Sequence, residues 1–240
     1  EFQWRKILKA EDARFPQLES ILKKKPAVEL FAFVALKAIY VAARLFFRFE
    51  VKGADTLARL KPPYLICPNH QSYLDPFLVC SAYSRAVLRD TLHVGASMFF
   101  TNAIMSRFAR LINVVPIDPD VELLRAMRAS AAGLCAGKIL NIYPEGQRSF
   151  DGQLLKFKKG AAILALELNV PIVPTVIDGT HLVWPRNSWR FHFAKVKLCF
   201  GDPIDPAQVV TGESDQEVGY QKLSTLLRER IQKMLDELRS

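Results

Sequence analysis

A chain of 240 residues, half of them hydrophobic, is long enough to bury one sizeable core, and a second domain is permitted without being required. The formal net charge of +9 and pI near 9.5 imply an anionic partner: phospholipid head groups, a nucleotide-bearing cofactor or nucleic acid. Nucleic acid is disfavoured because the aromatics sit in apolar runs instead of interleaving with bases on one polar face, and Cys67, Cys80, Cys135 and Cys199 form no C-x-x-C pair, which argues for buried free thiols in a reducing compartment and against disulfides or zinc.

The chain opens on Glu1 instead of Met, with no charged-then-apolar leader behind it, and is expected to be a trimmed chain or one module of a larger multidomain protein. Residues 1–25 set apolar positions (Phe2, Trp4, Ile7, Leu8, Phe15, Leu18, Ile21, Leu22) among bases and end in Lys23-Lys24-Lys25, a short amphipathic arm. Residues 28–47 are strongly apolar and aromatic, yet Lys37 and Arg44 interrupt them. A spanning helix needs about 20 mostly apolar residues without central charges, so this run reads as an interfacial helix lying among lipid head groups. Each nearby Lys or Arg adds roughly 1 kcal/mol at an anionic surface. The competing reading is a helix packed on the protein's own core. Residues 1–46 are therefore expected to form an amphipathic segment that associates with a membrane phospholipid surface, peripheral or monotopic on the cytoplasmic side. Residues 47–240 are expected to carry the chemistry.

Phe47, Phe49 and Val51 alternate with Arg48, Glu50 and Lys52 before Gly53, the pattern of a half-buried strand. Tyr64-Leu65-Ile66-Cys67, introduced by Pro62-Pro63, reads as a buried strand. Pro76 suits the first position of a helix, which makes Asp75 its N-cap. Helix is predicted over 77–81, strand over 91–95, helix over 99–111 with Arg107 and Arg110, and strand over 113–117. A helix over 122–136 and strands over 139–143 and 196–200 follow. Asp215 opens a last helix with Leu223, Leu227, Ile231, Met234, Leu235 and Leu238 on one face. The alternation predicts an α/β fold, a single mixed, mostly parallel sheet covered by helices.

Two clusters carry candidate chemistry. His70 and Asp75 flank a strand-to-helix turn, which can fold the carboxylate onto one imidazole nitrogen and leave the other to accept a proton from a substrate hydroxyl. A positioned base of this kind contributes roughly 10²–10⁴-fold in rate. The alternative is that Asp75 only caps and His70 is a satisfied loop residue. The second cluster follows the strand at 139–143, at the end where open α/β sheets bind ligands. There Glu145 can align a hydroxyl, Arg148 can grip a phosphate with its planar fork, and Gly146 lets the backbone approach. A salt-bridged surface turn between Glu145 and Arg148 is the competing reading. Trp184, Arg186, Trp189 and Arg190 form either an interfacial lip or a core edge with solvated charge. His93, His181 and His192 lack metal-ligand spacing and read as structural; no metal is expected.

Asn69-His70-Gln71-Ser72-Tyr73-Leu74-Asp75 resembles the His-x-x-x-x-Asp motif of the glycerolipid acyltransferases, the family of 1-acylglycerol-3-phosphate acyltransferase and its lysophospholipid relatives. Tyr143-Pro144-Glu145-Gly146-Gln147-Arg148-Ser149 resembles that family's Pro-Glu-Gly-x-Arg-Ser motif. Phe157-Lys158-Lys159-Gly160-Ala161 and Val170-Pro171-Ile172-Val173-Pro174-Thr175 resemble its next two landmarks, in order, so the likeness covers roughly 49–201. One motif departs: where family members usually carry a Gly before a short strand and an Arg after it, this chain has Asn113 and Pro119. That leaves the acceptor open, with Arg107, Arg110 and Lys156 as candidates to replace the missing Arg.

The resemblance implies transfer of an acyl group from acyl-CoA or acyl carrier protein to a hydroxyl of a lysophospholipid or glycerol-phosphate-type acceptor, with no cofactor. It implies His70 as general base and Asp75 as the group that orients it. Asn69 or a backbone N–H of the turn would stabilise the oxyanion, and Glu145, Gly146, Arg148 and Ser149 would bind the polar head. Acyl chain length and donor type are not specified. The rival readings are a thioesterase or lysophospholipase using the same pair on water, and a catalytically silent peripheral membrane module.

Overall fold

The computed structural model describes residues 4–8, 15, 18–19, 21, 26–95, 112–117, 122–186, 188, 190–211 and 215–240. The predicted helix at 99–111 with Arg107 and Arg110, together with Pro119, Trp189 and most of the 1–25 arm, lies outside the described residues. Seven strands form one sheet: β1 (Glu50–Lys52), β2 (Tyr64–Pro68), β3 (Thr91–Gly95), β4 (Val114–Pro116), β5 (Ile139–Asn141), β6 (Ile172–Asp178) and β7 (Lys197–Phe200). Their order is β1-β7-β6-β2-β5-β3-β4, with every neighbouring pair parallel except β6 with β7. The fold is therefore the mixed, mostly parallel α/β sheet that the alternating pattern predicts.

The central strands are short apolar runs because both faces of the sheet are covered. Alternate side chains of β2 divide between two cores: Leu65 and Cys67 face one, Tyr64 and Ile66 the other. Leu140, Ile172 and Val176 join the first, and Ile139, Val173 and Ile177 the second. The first core lies under α6 (Leu123–Cys135), α7 (Gly160–Leu168) and α10 (Gln216–Arg239), the last preceded by the short α9 (Pro206–Val209), and takes in Leu8 from the short α1 (Trp4–Leu8). Leu223, Leu227, Ile231, Leu235 and Leu238 bury the predicted face of α10, and the Asp215 carboxylate caps it by accepting from the amides of Glu217 and Val218. The second core lies under α2 (Pro26–Phe46), α4 (Asp75–Ser81) and α5 (Arg85–Asp90). Helix α3 (Ala54–Arg59) adds Leu57 to it.

Three departures from the predicted elements have local causes. The strand expected from Phe47 begins only at Glu50, because Arg48 adopts a left-handed φ of 45°. Asn113, where the resembling family carries Gly, also sits at positive φ (55°); its amide donates to Leu88 O and Thr91 O, so asparagine fills a glycine's conformation with its own bonds. Cys135 is exposed at the end of α6, whereas Cys67 and Cys80 are buried as expected.

His93 on β3 is buried with Cys80 Sγ 3.3 Å from Nε2, and burial pulls its pKa down to about 4. The unfolded chain protonates this histidine near pH 6.5 and the folded chain resists until about 4. His93 therefore withdraws stability as pH falls through that window, by up to about 1.4 kcal/mol per pH unit. A His93→Gln variant is expected to lose less of its urea-denaturation midpoint than the wild type between those two values; parallel slopes would exclude this histidine as the cause.

Candidate active site

Strands β6, β2 and β5 are neighbours and parallel, so the loops at their carboxyl ends converge on one edge of the sheet. The chain leaves β2 at Asn69. Its side chain supplies the next rung of the ladder, with Oδ1 accepting from Ile177 N (2.8 Å) and Nδ2 donating to Ile177 O (3.0 Å). Asn69 is 1% exposed, so the residue expected near the oxyanion is engaged with backbone at both ends.

His70 follows, and its backbone is gripped from both sides: its N–H donates to Glu145 Oε1 (2.8 Å) and its carbonyl accepts from Ser149 N (2.8 Å). Its Nδ1 lies 2.8 Å from Asp75 Oδ2. An ionised carboxylate only accepts, so Nδ1 carries the hydrogen and Nε2 keeps its lone pair. The Tyr143 ring stacks on the imidazole with centroids 4.2 Å apart.

Asp75 does not cap α4. The helix begins at Asp75 itself, with Leu74 as the N-cap residue in helical conformation and Pro76 within the first turn. The carboxylate instead turns back into the loop and is fully buried. Oδ2 accepts from Gln71 N (2.6 Å) and Ser72 N (2.8 Å) as well as facing His70, and Oδ1 accepts from the Thr180 hydroxyl (2.6 Å). Thr180 opens the short α8 (Thr180–Val183) after Gly179, whose φ of 92° and approach to Lys195 O would place a Cβ 2.1 Å from that oxygen. The sequence reading missed Thr180; its only signal was a Gly at the carboxyl end of an apolar run.

Around this pair lies a second set of bonds. Gln71 Nε2 donates to Gly152 O and to Asp178 Oδ1 (both 3.2 Å), and its Oε1 lies 2.9 Å from His181 Nδ1. Asp178 is paired with Arg239, at 2.7 Å from the guanidinium. Burial works to raise the Asp178 carboxyl, but Arg239 and Gln71 outweigh it and hold the group below its ordinary value. Burial lowers His181.

The loop after β5 contributes the remaining residues. Glu145 is 3% exposed and accepts from His70 N on one oxygen and Leu155 N (2.8 Å) on the other, so the carboxylate expected to meet a head group is turned inward. Burial raises its pKa against those two bonds. Gly146 has a φ of 70° beside Lys158, whose Cε would lie 2.7 Å from an added Cβ. Arg148 is half-buried with Cζ 3.4 Å above the Tyr73 ring centroid, and burial lowers its pKa. The Ser149 hydroxyl is buried with no hydrogen-bond partner among the described residues. Lys156 is exposed. Among the described residues, no group of three or more His, Cys, Asp or Glu side chains is placed to hold a metal.

Replacing Glu145 by Gln would set an NH₂ group against a backbone N–H at one of its two bonds. Glu145→Gln is therefore expected to cost about 1–3 kcal/mol in chemical denaturation and to loosen the His70 turn. An unchanged midpoint would show that the bracing contributes nothing.

A family model for acyltransferases matches residues 48–178, which takes in every residue described above from His70 to Asp178. The chain is 44% identical over 159 residues to a 1-acyl-sn-glycerol-3-phosphate acyltransferase of Limnanthes alba, covering 65% of this chain and 54% of that protein. It is 33% identical over 142 residues to one of Cocos nucifera, covering 58% and 44%. The chain thus spans about half the length of these curated relatives. The crystal structure of the 1-acyl-sn-glycerophosphate (LPA) acyltransferase PlsC from Thermotoga maritima shares its fold, with a TM-score of 0.72 at 23% identity over 93% of this chain and 87% of that one. With more than half of its length inside the family model and both motifs folded into one site, the chain belongs to the glycerolipid acyltransferase family.

Proposed function

We propose that this chain transfers a fatty acyl group from a thioester, acyl-CoA or acyl carrier protein, to a hydroxyl of a lysophospholipid or glycerol-phosphate-type acceptor. The observation that carries the reading is the His70–Asp75 pair, a buried carboxylate held by four donors with no hydrogen bond to the imidazole's Nε2 among the described residues. The names of the relatives support 1-acyl-sn-glycerol 3-phosphate as the first acceptor to try.

In this mechanism Nε2 takes the proton of the acceptor hydroxyl as its oxygen attacks the thioester carbonyl. Asp75 stabilises the imidazolium that forms. The tetrahedral intermediate then collapses, the C–S bond breaks, and the imidazolium returns its proton to the departing thiolate. No side-chain nucleophile is acylated along the way. Tyr143 stacking and the two clamps on the His70 backbone keep the ring in place between proton transfers.

Product analysis by mass spectrometry tests this, with a labelled acyl thioester, a panel of lysophospholipids and His70→Ala alongside. The expected outcome is a labelled lysolipid formed by the wild type, and a rate at least about 10²-fold lower for His70→Ala. Label found only as free fatty acid would replace transfer by hydrolysis, and an undiminished His70→Ala would end the mechanism.

The same reading sets α2 on a lipid surface. This 21-residue helix is long and apolar enough to cross a membrane by length and composition. Its inner face buries Ala32, Leu36 and Ala43 against the core, while Phe31, Val34, Val41 and Leu45 are exposed. Lys37, the charge that interrupts the run, is turned toward the protein: Nζ donates to Ser81 O (2.7 Å) between the Phe33 and Tyr40 rings. One face on the core and one apolar face outward favours a helix lying along the interface. Phe31→Ser with Leu45→Ser is expected to weaken flotation with anionic vesicles by at least about 10-fold while leaving the fold intact. Full retention would assign the face to something other than lipid.

A further inference from the structure

Arg186 belongs to no motif quoted above, yet the fold brings it to the catalytic loop. Its Nη1 donates to the carbonyl of Arg148 (2.6 Å), and its guanidinium lies over the Phe150 ring at 4.1 Å. Arg148 in turn lies over Tyr73, three residues from His70, and Ser149 bonds the His70 carbonyl. Two cations thus flank the turn that holds the proposed base. They feel each other: after burial, the nearby Arg186 charge also works to lower the Arg148 pKa.

Among the described residues, neither guanidinium is ion-paired with a carboxylate, whereas Arg59, Arg89, Arg125 and Arg239 all are. Each of the two is instead stacked on an aromatic ring, which restrains its plane without neutralising its charge. Arg186 uses one N–H on the Arg148 carbonyl and has four others. Two half-buried cations held together, with no carboxylate paired to either among the described residues, make a site for a doubly negative group, and a phosphomonoester matches both the charge and the forked donors.

We propose that Arg186 joins Arg148 in binding the phosphate of the acceptor. The proposal rests on the acyl-transfer reading for its substrate but on the Arg148–Arg186 juxtaposition for its site. Acyl-CoA also carries phosphates, so the donor is the other source of the same chemistry.

Steady-state kinetics on Arg186→Gln and Arg186→Lys separate the two, with lysophosphatidate and acyl-CoA varied in turn. Loss of a charge-assisted bond predicts that Arg186→Gln raises KM for lysophosphatidate roughly 10- to 100-fold, with KM for acyl-CoA unchanged and Arg186→Lys in between. A rise in KM for acyl-CoA alone, or no change in either, overturns the assignment. Calorimetric binding of a short-chain lysophosphatidate to the same proteins gives a readout that needs no turnover. If the wild type binds it and Arg186→Gln does so at least 10-fold more weakly, the site stands even where acyl transfer fails; equal binding removes it.

Discussion

The buried Asp75 carboxylate is the point on which the site and much of the surrounding fold depend. A full negative charge without solvent is tolerated only where donors surround it. Here the donors are two amides of the turn that follows β2, the imidazole of the same turn, and a hydroxyl from the end of β6. The turn can take its shape only if the carboxylate is present, and the carboxylate is tolerable only if the turn and Thr180 are in place. A group that orients the proposed base is thus also a folding determinant. Hydrogen bonds to charged groups, worth about 1.5–3 kcal/mol each, make that mutual dependence steep.

A second carboxylate repeats the principle one loop away. Glu145 joins the amide of His70 to that of Leu155, and so ties the turn after β2 to the long loop after β5. Gln71 ties the same turn to Gly152, Asp178 and His181 on the opposite side. His70 is consequently fixed at its N–H, its carbonyl, its Nδ1 and one ring face, leaving little freedom beyond a proton at Nε2. If His70 is the base proposed above, its contribution lies in pre-paid orientation.

The sheet and the spacing of the two motifs were legible because they are local. A short apolar run between prolines and a loop is too short for a helix and reads as a strand, and His70 and Asp75 are five residues apart in one turn. Asp75 was misread in one respect: an Asp-Pro pair at a helix start looks like a cap, and nothing local reveals that the carboxylate has a more demanding burial to satisfy on its other side. Thr180, Arg186 and Arg239 were not legible as site residues. Thr180 reaches Asp75 across 105 positions, Arg186 reaches Arg148 across 38, and Arg239 reaches Asp178 across 61. Such contacts are decided by the order in which the strands pair. Asn113 shows the converse: it departs from the family's usual residue while keeping the backbone conformation that residue serves.

The aromatic contacts give the surface a direction. Phe46 and Phe47 at the end of α2 meet Phe193, and two residues earlier Phe191 packs on Trp184, Trp184 on Tyr73, and Tyr73 under Arg148. Two groups of rings, joined by the chain at residues 191–193, therefore lie between the exposed apolar helix and the turn that carries His70. Along them the surface changes from the fully apolar Phe193, 80% exposed, through the amphipathic Trp184 to two guanidinium groups. Rings with a polar edge suit the boundary between hydrocarbon and water, and they hold it without the entropy cost of long flexible side chains. The proposed acceptor spans the same range of polarity, from its acyl chain to its phosphate. A lipid drawn from a membrane along these rings would leave hydrocarbon only as its phosphate reached the arginines, so that charge pairing would offset the loss of apolar burial at the step where it is needed.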